Sequence, residues 1–318
     1  MRKKIILKQM LLVSLPLIAL VSCQKNDTSE NLSNDFTYQN SDLYAVATDI
    51  TANSVHDACV EDVQGLALMF SAHKNKNFLI PMSGLNMKFM SPHISSCASI
   101  SESDTSFPKT IKIDYGTGCT SHRGHVKKGK IIVEISDSML VAGSIKTVRS
   151  EDFYVDNMKI DIAAVIKNMG KNNKGNWVVI TKYDEIINSP SGNILKESYC
   201  DTTEWLSGFE TVEVSDDVFY KSGSGVKTLN DSIKYSHNII LPLLYDRSCE
   251  SLILSGIIDI YRKDKHAVID YGNGTCDNIA TVTYNDTTET IDLKRFHFQK
   301  GGHFERQFKH RKDKGHGF

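Results

Sequence analysis

The 318-residue chain lacks the short patterns that announce common chemistries. It has no G-x-S-x-G elbow, no H-E-x-x-H pair and no G-x-x-x-x-G-K-[ST] loop. Gly124 to Lys130 approaches the last of these, but Ile131 stands where a Ser or Thr would hold magnesium. Asp216 and Asp217 are neighbours in sequence, which puts them on opposite faces of a strand or in a turn and not in an acid/base pair. A long apolar run is also missing beyond the N-terminus. Ile5 to Val21, interrupted by Lys8 and Gln9, is short of the roughly 20 apolar residues of a comfortable spanning helix. Few later segments are apolar on both faces, which argues against a parallel α/β sheet. Positive charge is scarce in the body: residues 24–293 hold 25 Lys+Arg against 36 Asp+Glu, a net of −11. Phosphates would be repelled over most of such a surface, so a nucleic-acid partner is not expected.

What is present begins with an address. Met1-Arg2-Lys3-Lys4 is basic, the apolar run follows, and the stretch closes on Leu20-Val21-Ser22-Cys23. A basic segment, an apolar segment and small residues at a cut site make a secretory signal peptide over residues 1–22. The ending resembles the bacterial lipobox, which implies cleavage before Cys23 and lipid on that cysteine. Several acyl chains anchor a protein stably where one does not. About 296 residues remain after the cut, enough for a sizeable core. Residues 23–42 are polar and have little to bury, so they read as a flexible tether. Cys23-Gln24-Lys25-Asn26-Asp27 resembles the export signals of Bacteroidetes lipoproteins, which implies the outer membrane and its outer face.

The body, residues 43–293, reads as mostly antiparallel all-β with one N-terminal helix. Cys59, Val60, Val63, Leu66, Ala67 and Phe70 recur at helical spacing, and Asp57, Glu61 and Asp62 suit the start of a helix. From residue 80 onward short strand patterns alternate with turn signals. Strands are expected at Ile111–Tyr115, Ile131–Ile135, Phe153–Ile162 in part, Trp177–Thr181 and Thr211–Val214. Others are expected at Val226–Thr228, Ile233–Tyr235, Ile257–Tyr261, Ala267–Asp270, Ala280–Tyr284 and Thr290–Leu293. Asn172–Gly175, Ser189–Gly192 and Asn230–Asp231 mark turns. A sandwich, a barrel-like meander or a long curved sheet fits this spacing.

The body also repeats itself. Cys97 is followed by Ile113-Asp114-Tyr115-Gly116-Thr117-Gly118-Cys119, and Cys249 by Ile269-Asp270-Tyr271-Gly272-Asn273-Gly274-Thr275-Cys276. The copies place related halves at about 80–150 and 235–293. Six cysteines besides Cys23 allow 15 complete pairings. The parallel order of the copies favours Cys97–Cys119 and Cys249–Cys276, and leaves Cys59 and Cys200 paired or free. With Trp205 and Ser207-Gly208, the I-D-Y-G-x-G motifs resemble a group of Bacteroidetes lipoproteins of unknown function. The resemblance extends to about Leu293 and implies a fold class and a location, but no activity.

Four ligand-like features stand beside simpler readings. Asp114 and Asp270, with Asn273, Asp277 and Asn278, offer oxygens to calcium, yet the first copy lacks equivalents of Asp277 and Asn278, and a glycine hairpin turn closed by an Asx bond is the reading favoured. Cys119, His122 and His125 recur at three-residue spacing, as zinc ligands do, but number three and include a disulfide candidate. The triplets Asp137-Ser138-Met139, Asp231-Ser232-Ile233 and Asp286-Thr287-Thr288 resemble Bacteroidetes O-glycosylation acceptors. The tail, residues 294–318, carries His297, His303, His310 and His316 among phenylalanines and 8 Lys+Arg against 2 Asp+Glu. Such a tail can take metal or haem loosely, or stay a disordered basic end. Taken together, the sequence describes a membrane-anchored envelope lipoprotein with a non-enzymatic binding or structural role, needing no cofactor. Its partners are the membrane and a glycan or a protein. A surface hydrolase acting on glycans or peptides is the alternative, and capture of metal or haem by the tail a weaker one.

Overall fold

The computed structural model describes residues 97–293, apart from 104–105, 122–123, 212–213, 250–251, 263–264 and 285, together with Ala52, Asn53, His56, Cys59 and Val63. Among the described residues fourteen strands form one sheet. They are β1 (Ser99–Glu102), β2 (Lys109–Asp114), β3 (Cys119–Thr120), β4 (Val126–Ile135), β5 (Ile145–Val155), β6 (Met158–Lys171) and β7 (Trp177–Asn188). The series continues with β8 (Ile194–Ser207), β9 (Val218–Leu229), β10 (Ile233–Asp246), β11 (Ile253–Arg262), β12 (Lys265–Asn273), β13 (Ile279–Tyr284) and β14 (Thr287–Asp292). Each strand pairs antiparallel with its neighbour in sequence, except that β2 pairs with β4 and β3 hangs on β4. The architecture is a meander, in agreement with the expected antiparallel β class.

The long strands alternate. On β6, Met158, Ile160, Ile162 and Ala164 are buried while the residues between them are exposed or half-buried. Side chains two apart share a face, so one face of the sheet is inner and the other outer. Inner-face residues fall into two apolar clusters. The first runs through β2, β4, β5 and β6 and takes in Ala52, Cys59 and Val63. The second runs from Val179, Trp205 and Phe219 to Ile258, Ile269 and Val282. Ile166 and Ile239 touch both. The five described residues before the sheet are helical, and they include Cys59 and Val63 of the predicted apolar face. The rest of that predicted helix, the signal peptide, Cys23, the tether and the tail lie outside the described residues.

Turns follow backbone chemistry. Asn230 and Asp231 turn β9 into β10 with φ of 48° and 56°, in the left-handed region that Asn and Asp tolerate. Asp156 and Asn157 do the same between β5 and β6, at 49° and 71°. The expected strand Phe153–Ile162 is therefore two strands and a turn, because two residues suffice to reverse the chain and the apolar alternation continues on either side. Of the expected strand at Thr211–Val214, the two described residues, Thr211 and Val214, are not in a strand. The Thr211 amide donates to the Gly208 carbonyl at 3.0 Å, and Val214–Asp216 form a 3-10 turn.

Two disulfides fasten the ends of the meander. Cys97, just before β1, bridges Cys119 on β3, and Cys249, after β10, bridges Cys276, before β13, with Cα–Cα distances of 5.4 and 5.9 Å. These are the pairs that the repeat favours. Cys59 is buried and Cys200 lies exposed on the outer face, and no bridge joins them. Each bridge closes a loop of 22 or 27 residues. Replacing either pair by serine is expected to cost about 3–4 kcal/mol in the chain-entropy account. Urea unfolding of the two double variants measures it, and the two losses should add because the bridges tie opposite ends of the strand order.

Candidate functional site

The inner face is not apolar throughout. Where the two clusters meet, β7 to β10 direct polar and aromatic side chains inward in two rows. In the first row Glu185 on β7 stands opposite Glu197 on β8, and Glu197 opposite Lys227 on β9. In the second, Tyr183 faces Tyr199, and Tyr199 and His237 lie on either side of Gly225. The sequence builds both rows from one hairpin. Tyr183-x-Glu185 and Glu197-x-Tyr199 are mirror images about the turn at Ser189–Gly192, so antiparallel pairing sets like against like.

Gly225 shows why small residues interrupt β9. A Cβ there would overlap the Tyr199 ring, and one at Gly223 would overlap the backbone of Cys200 and Asp201. The run Ser222-Gly223-Ser224-Gly225 thus lets large rings from neighbouring strands close over the backbone. Tyr199 and His237 meet edge to face at 4.8 Å, and Tyr183 and Tyr199 lie 5.4 Å apart. His56, from the helical residues, stacks on Tyr183 at 4.3 Å.

The charges are paired in the dry interior. The Lys227 ammonium lies 3.0 Å from Glu197 Oε1, with both side chains fully buried. Tyr183 donates its hydroxyl to the same oxygen at 3.3 Å, and Lys227 donates to Asn53 Oδ1 at 3.5 Å. His56 Nδ1 is 3.8 Å from Glu185 Oε2, an ion-pair distance too long for a hydrogen bond. Lys221 lies 3.5 Å from Asp201 and 5.6 Å from the Tyr245 ring centre. Burial pushes the Glu185 carboxyl above its ordinary range, with His56 pulling it back, and Glu197 adds repulsion across the ladder. Burial, then Glu197 and Glu185, push the Tyr183 phenol well above its usual value.

Between these groups lies a small cavity lined by Asn53, His56, Lys221, Tyr245 and the second-row rings, with about 20 Å³ of room, enough for one water. Tyr183 on β7 and Ile258 on β11 both line it. They are four strands apart, about 19 Å on a flat sheet, so the sheet curls around this point. The cavity is too small for a sugar ring, and Glu185 and Glu197 are 1% and 3% exposed. This arrangement can hold a proton and bind the helical residues to the sheet. It does not present a carboxylate pair to a substrate.

The residues singled out in the sequence fall elsewhere. Asp114 Oδ1 accepts the Gly116 amide at 2.9 Å and Asp270 Oδ1 the Gly272 amide at 2.8 Å, the Asx turn in both copies of the repeat. Asp277 likewise accepts the Ile279 amide, which holds its carboxyl below the usual range. The sulfur of Cys119 is committed to its disulfide, and His125 Nδ1 sits 2.7 Å from Asp156, an acid that folding brings from 31 residues away. His122 lies outside the described residues, as do His297, His303, His310 and His316. Among the described residues no group of three His, Cys, Asp or Glu is set to hold a metal ion. Ser138 is buried, whereas Ser232 and Thr287 lie exposed in or beside turns. No protein family, curated protein or solved structure matches the chain.

Two outcomes test the polar seam. Lys227→Met leaves Glu197 buried without its cation, so it should cost about 3–5 kcal/mol, while the double variant Lys227→Met, Glu197→Leu should recover much of that loss. Denaturant midpoints decide. For Glu185 the raised carboxyl holds its proton more tightly in the folded chain than in the unfolded one. Its stabilising effect is full below the ordinary carboxylate pKa and is lost as pH rises through the raised value. Glu185→Gln cannot ionise. Its melting temperature should therefore gain on that of the parent chain as pH rises from about 5 to about 8.

Proposed function

We propose that the chain is an envelope lipoprotein, held by lipid on Cys23 to the outer membrane, whose β body has a binding or structural role and performs no catalysis. The observation that carries this reading is the pair of disulfides closing both ends of the sheet. Such bridges persist in oxidising compartments and are rare in the reducing cytosol. They agree with the signal peptide and with the lipobox-like Leu20-Val21-Ser22-Cys23. The likeness of the I-D-Y-G-x-G repeats to Bacteroidetes lipoproteins supports the same address. In this reading the helical residues belong to a single N-terminal helix that caps a long curved meander, and residues 23–42 are the tether.

The non-catalytic role rests on the polar seam. Its carboxylates are buried, Glu197 against Lys227 and Tyr183, and Glu185 beside His56. A hydrolase of glycans would need two carboxyls about 5 to 10 Å apart beside an accessible bond. Partners are the bilayer and a glycan or protein.

Labelling cells with radioactive palmitate tests the anchor. The parent protein should take up label and stay in the membrane fraction, and Cys23→Ser should lose the label and appear in the soluble fraction. Label retained by Cys23→Ser would overturn the lipoprotein reading.

A further inference from the structure

The lysine of the polar seam is set against a carboxamide as well as a carboxylate. Lys227 Nζ lies 3.5 Å from Asn53 Oδ1 and 3.0 Å from Glu197 Oε1. Asn53 Cγ is one C=O bond from Oδ1, about 1.2 Å, so it lies within about 5 Å of the nitrogen. A modest rotation of the half-buried Asn53 side chain closes the gap to the roughly 3–3.5 Å of a near-attack arrangement. An amine, an acyl carbon and a carboxyl group within hydrogen-bond reach of the amine are the parts of an acyl transfer. Burial beside the acid sets this lysine apart. Lys128 Nζ is also 3.5 Å from an amide oxygen, that of Asn157, but in an exposed contact.

The surroundings favour reaction. Tyr183 donates its hydroxyl to Glu197 Oε1 at 3.3 Å, His56 stacks on the Tyr183 ring, and Tyr199 packs beside it. These rings keep water from the lysine and the acid, whose side chains are both fully buried. Without hydration, moving a proton from an ammonium to a carboxylate, to leave a neutral amine and a neutral acid, costs far less than it does in water. The amide is held in place too. Asn53 belongs to the helical residues, which also set Ala52 and Cys59 into the first apolar cluster. Fixing both partners removes much of the entropic barrier to attack on an unactivated amide. Asn53 also lines the small cavity, whose 20 Å³ can take one water-sized leaving molecule such as ammonia.

We propose that Lys227 and Asn53 join through a side-chain amide bond, a covalent cross-link that ties the helical residues to β9. Glu197 takes a proton from the Lys227 ammonium, and the freed electron pair attacks Asn53 Cγ to form the Nζ–Cγ bond. Nζ then gives up a second proton, which Glu197 relays to Asn53 Nδ2. The Cγ–Nδ2 bond breaks and ammonia leaves. An ammonium, a carboxylate and a carboxamide become a secondary amide, a neutral carboxylic acid and ammonia, so atoms and charge balance and no oxidant or other reagent is consumed. The interior exchanges a buried ion pair for neutral groups, and dilution of ammonia into solvent makes the step one-way. The reaction occurs once per chain and acts on no outside substrate. It does not depend on the lipid anchor. The bond spans 174 residues, far more than either disulfide, and reductants do not open it.

Tryptic peptides of the reduced and alkylated full chain, read by tandem mass spectrometry, test it. Trypsin does not cut after an acylated lysine. Ser222–Lys234 should therefore appear uncut at Lys227 and joined to the peptide that carries Asn53, one ammonia lighter than the two together. On a denaturing gel with reductant the parent chain should run faster than Asn53→Ala, because its loop of 174 residues stays closed. Asn53→Ala keeps the Lys227–Glu197 pair and cannot react, so it is also the unreacted reference for the denaturant midpoints of Lys227→Met and its double variant. Glu197→Gln, which cannot carry the proton, should yield the two peptides separately. Separate peptides of full mass from the parent chain overturn the cross-link, whether or not Glu197→Gln folds. Ammonia lost from the Asn53 peptide alone, without a branch, is closure of Asn53 onto its own backbone and overturns it as well. A branched peptide from folded Glu197→Gln overturns the part given to Glu197.

Discussion

Among the described residues the sheet, in which each strand bonds mainly to its sequence neighbours, has no second layer to lie against, yet must still hide one apolar face. The rest of the structure follows from that constraint. Alternation is most regular on β6 and β8 and recurs along the other strands, so the face to be hidden extends from β2 to β13. Hiding it requires the sheet to curl until its own strands serve as partners. Ala52, Cys59 and Val63 pack in the first cluster, whose members come from β2 to β9.

Curling brings a second difficulty, which the polar seam answers. An unbroken apolar interior would allow a strand pair to slide by two residues with little penalty, since the same face would remain buried. The rows Glu185–Glu197–Lys227 and Tyr183–Tyr199–Gly225–His237 remove that freedom. A slip by two residues at β8–β9 would part Glu197 from Lys227 in either direction, and in one of them would press Tyr199 onto Lys227 instead of Gly225. Buried ion pairs contribute little net stability compared with apolar packing. In this sheet the ion pair serves register at the centre, where fourteen strands would otherwise be hardest to align.

Much of the strand order was legible because turns and alternation are local. The Asn230–Asp231 turn, the Asx turns of the repeat and both disulfides can be read from neighbouring residues. The seam could not be read so easily. Alternation fails as a signal where inward positions carry charge, and Ile194–Ser207 turns Glu197 and Asp201 inward beside Leu195, Tyr199 and Trp205. The same charges shorten the visible part of β7, which reads as ending near Thr181 but runs on to Asn188. The mirror pair Tyr183-x-Glu185 and Glu197-x-Tyr199 about a recognisable turn was the available clue. Asp156 beside His125, and Asn53 and His56 over β7 and β9, come from contacts across 31 to 174 residues, which no local pattern reports.

Nearest-neighbour pairing also shapes how the chain reaches this state. All-β folds are generally slow because distant segments must find each other before any contact forms. Here nearly every ladder closes a hairpin of adjacent strands, so the search is short and can advance one strand at a time. A chain drawn end-first through a narrow opening can pair its strands in the order in which they emerge. The Cys97–Cys119 bridge needs only the first few strands, whereas Asn53 and His56, among the earliest residues to emerge, must wait for β7 to β9 before their partners exist.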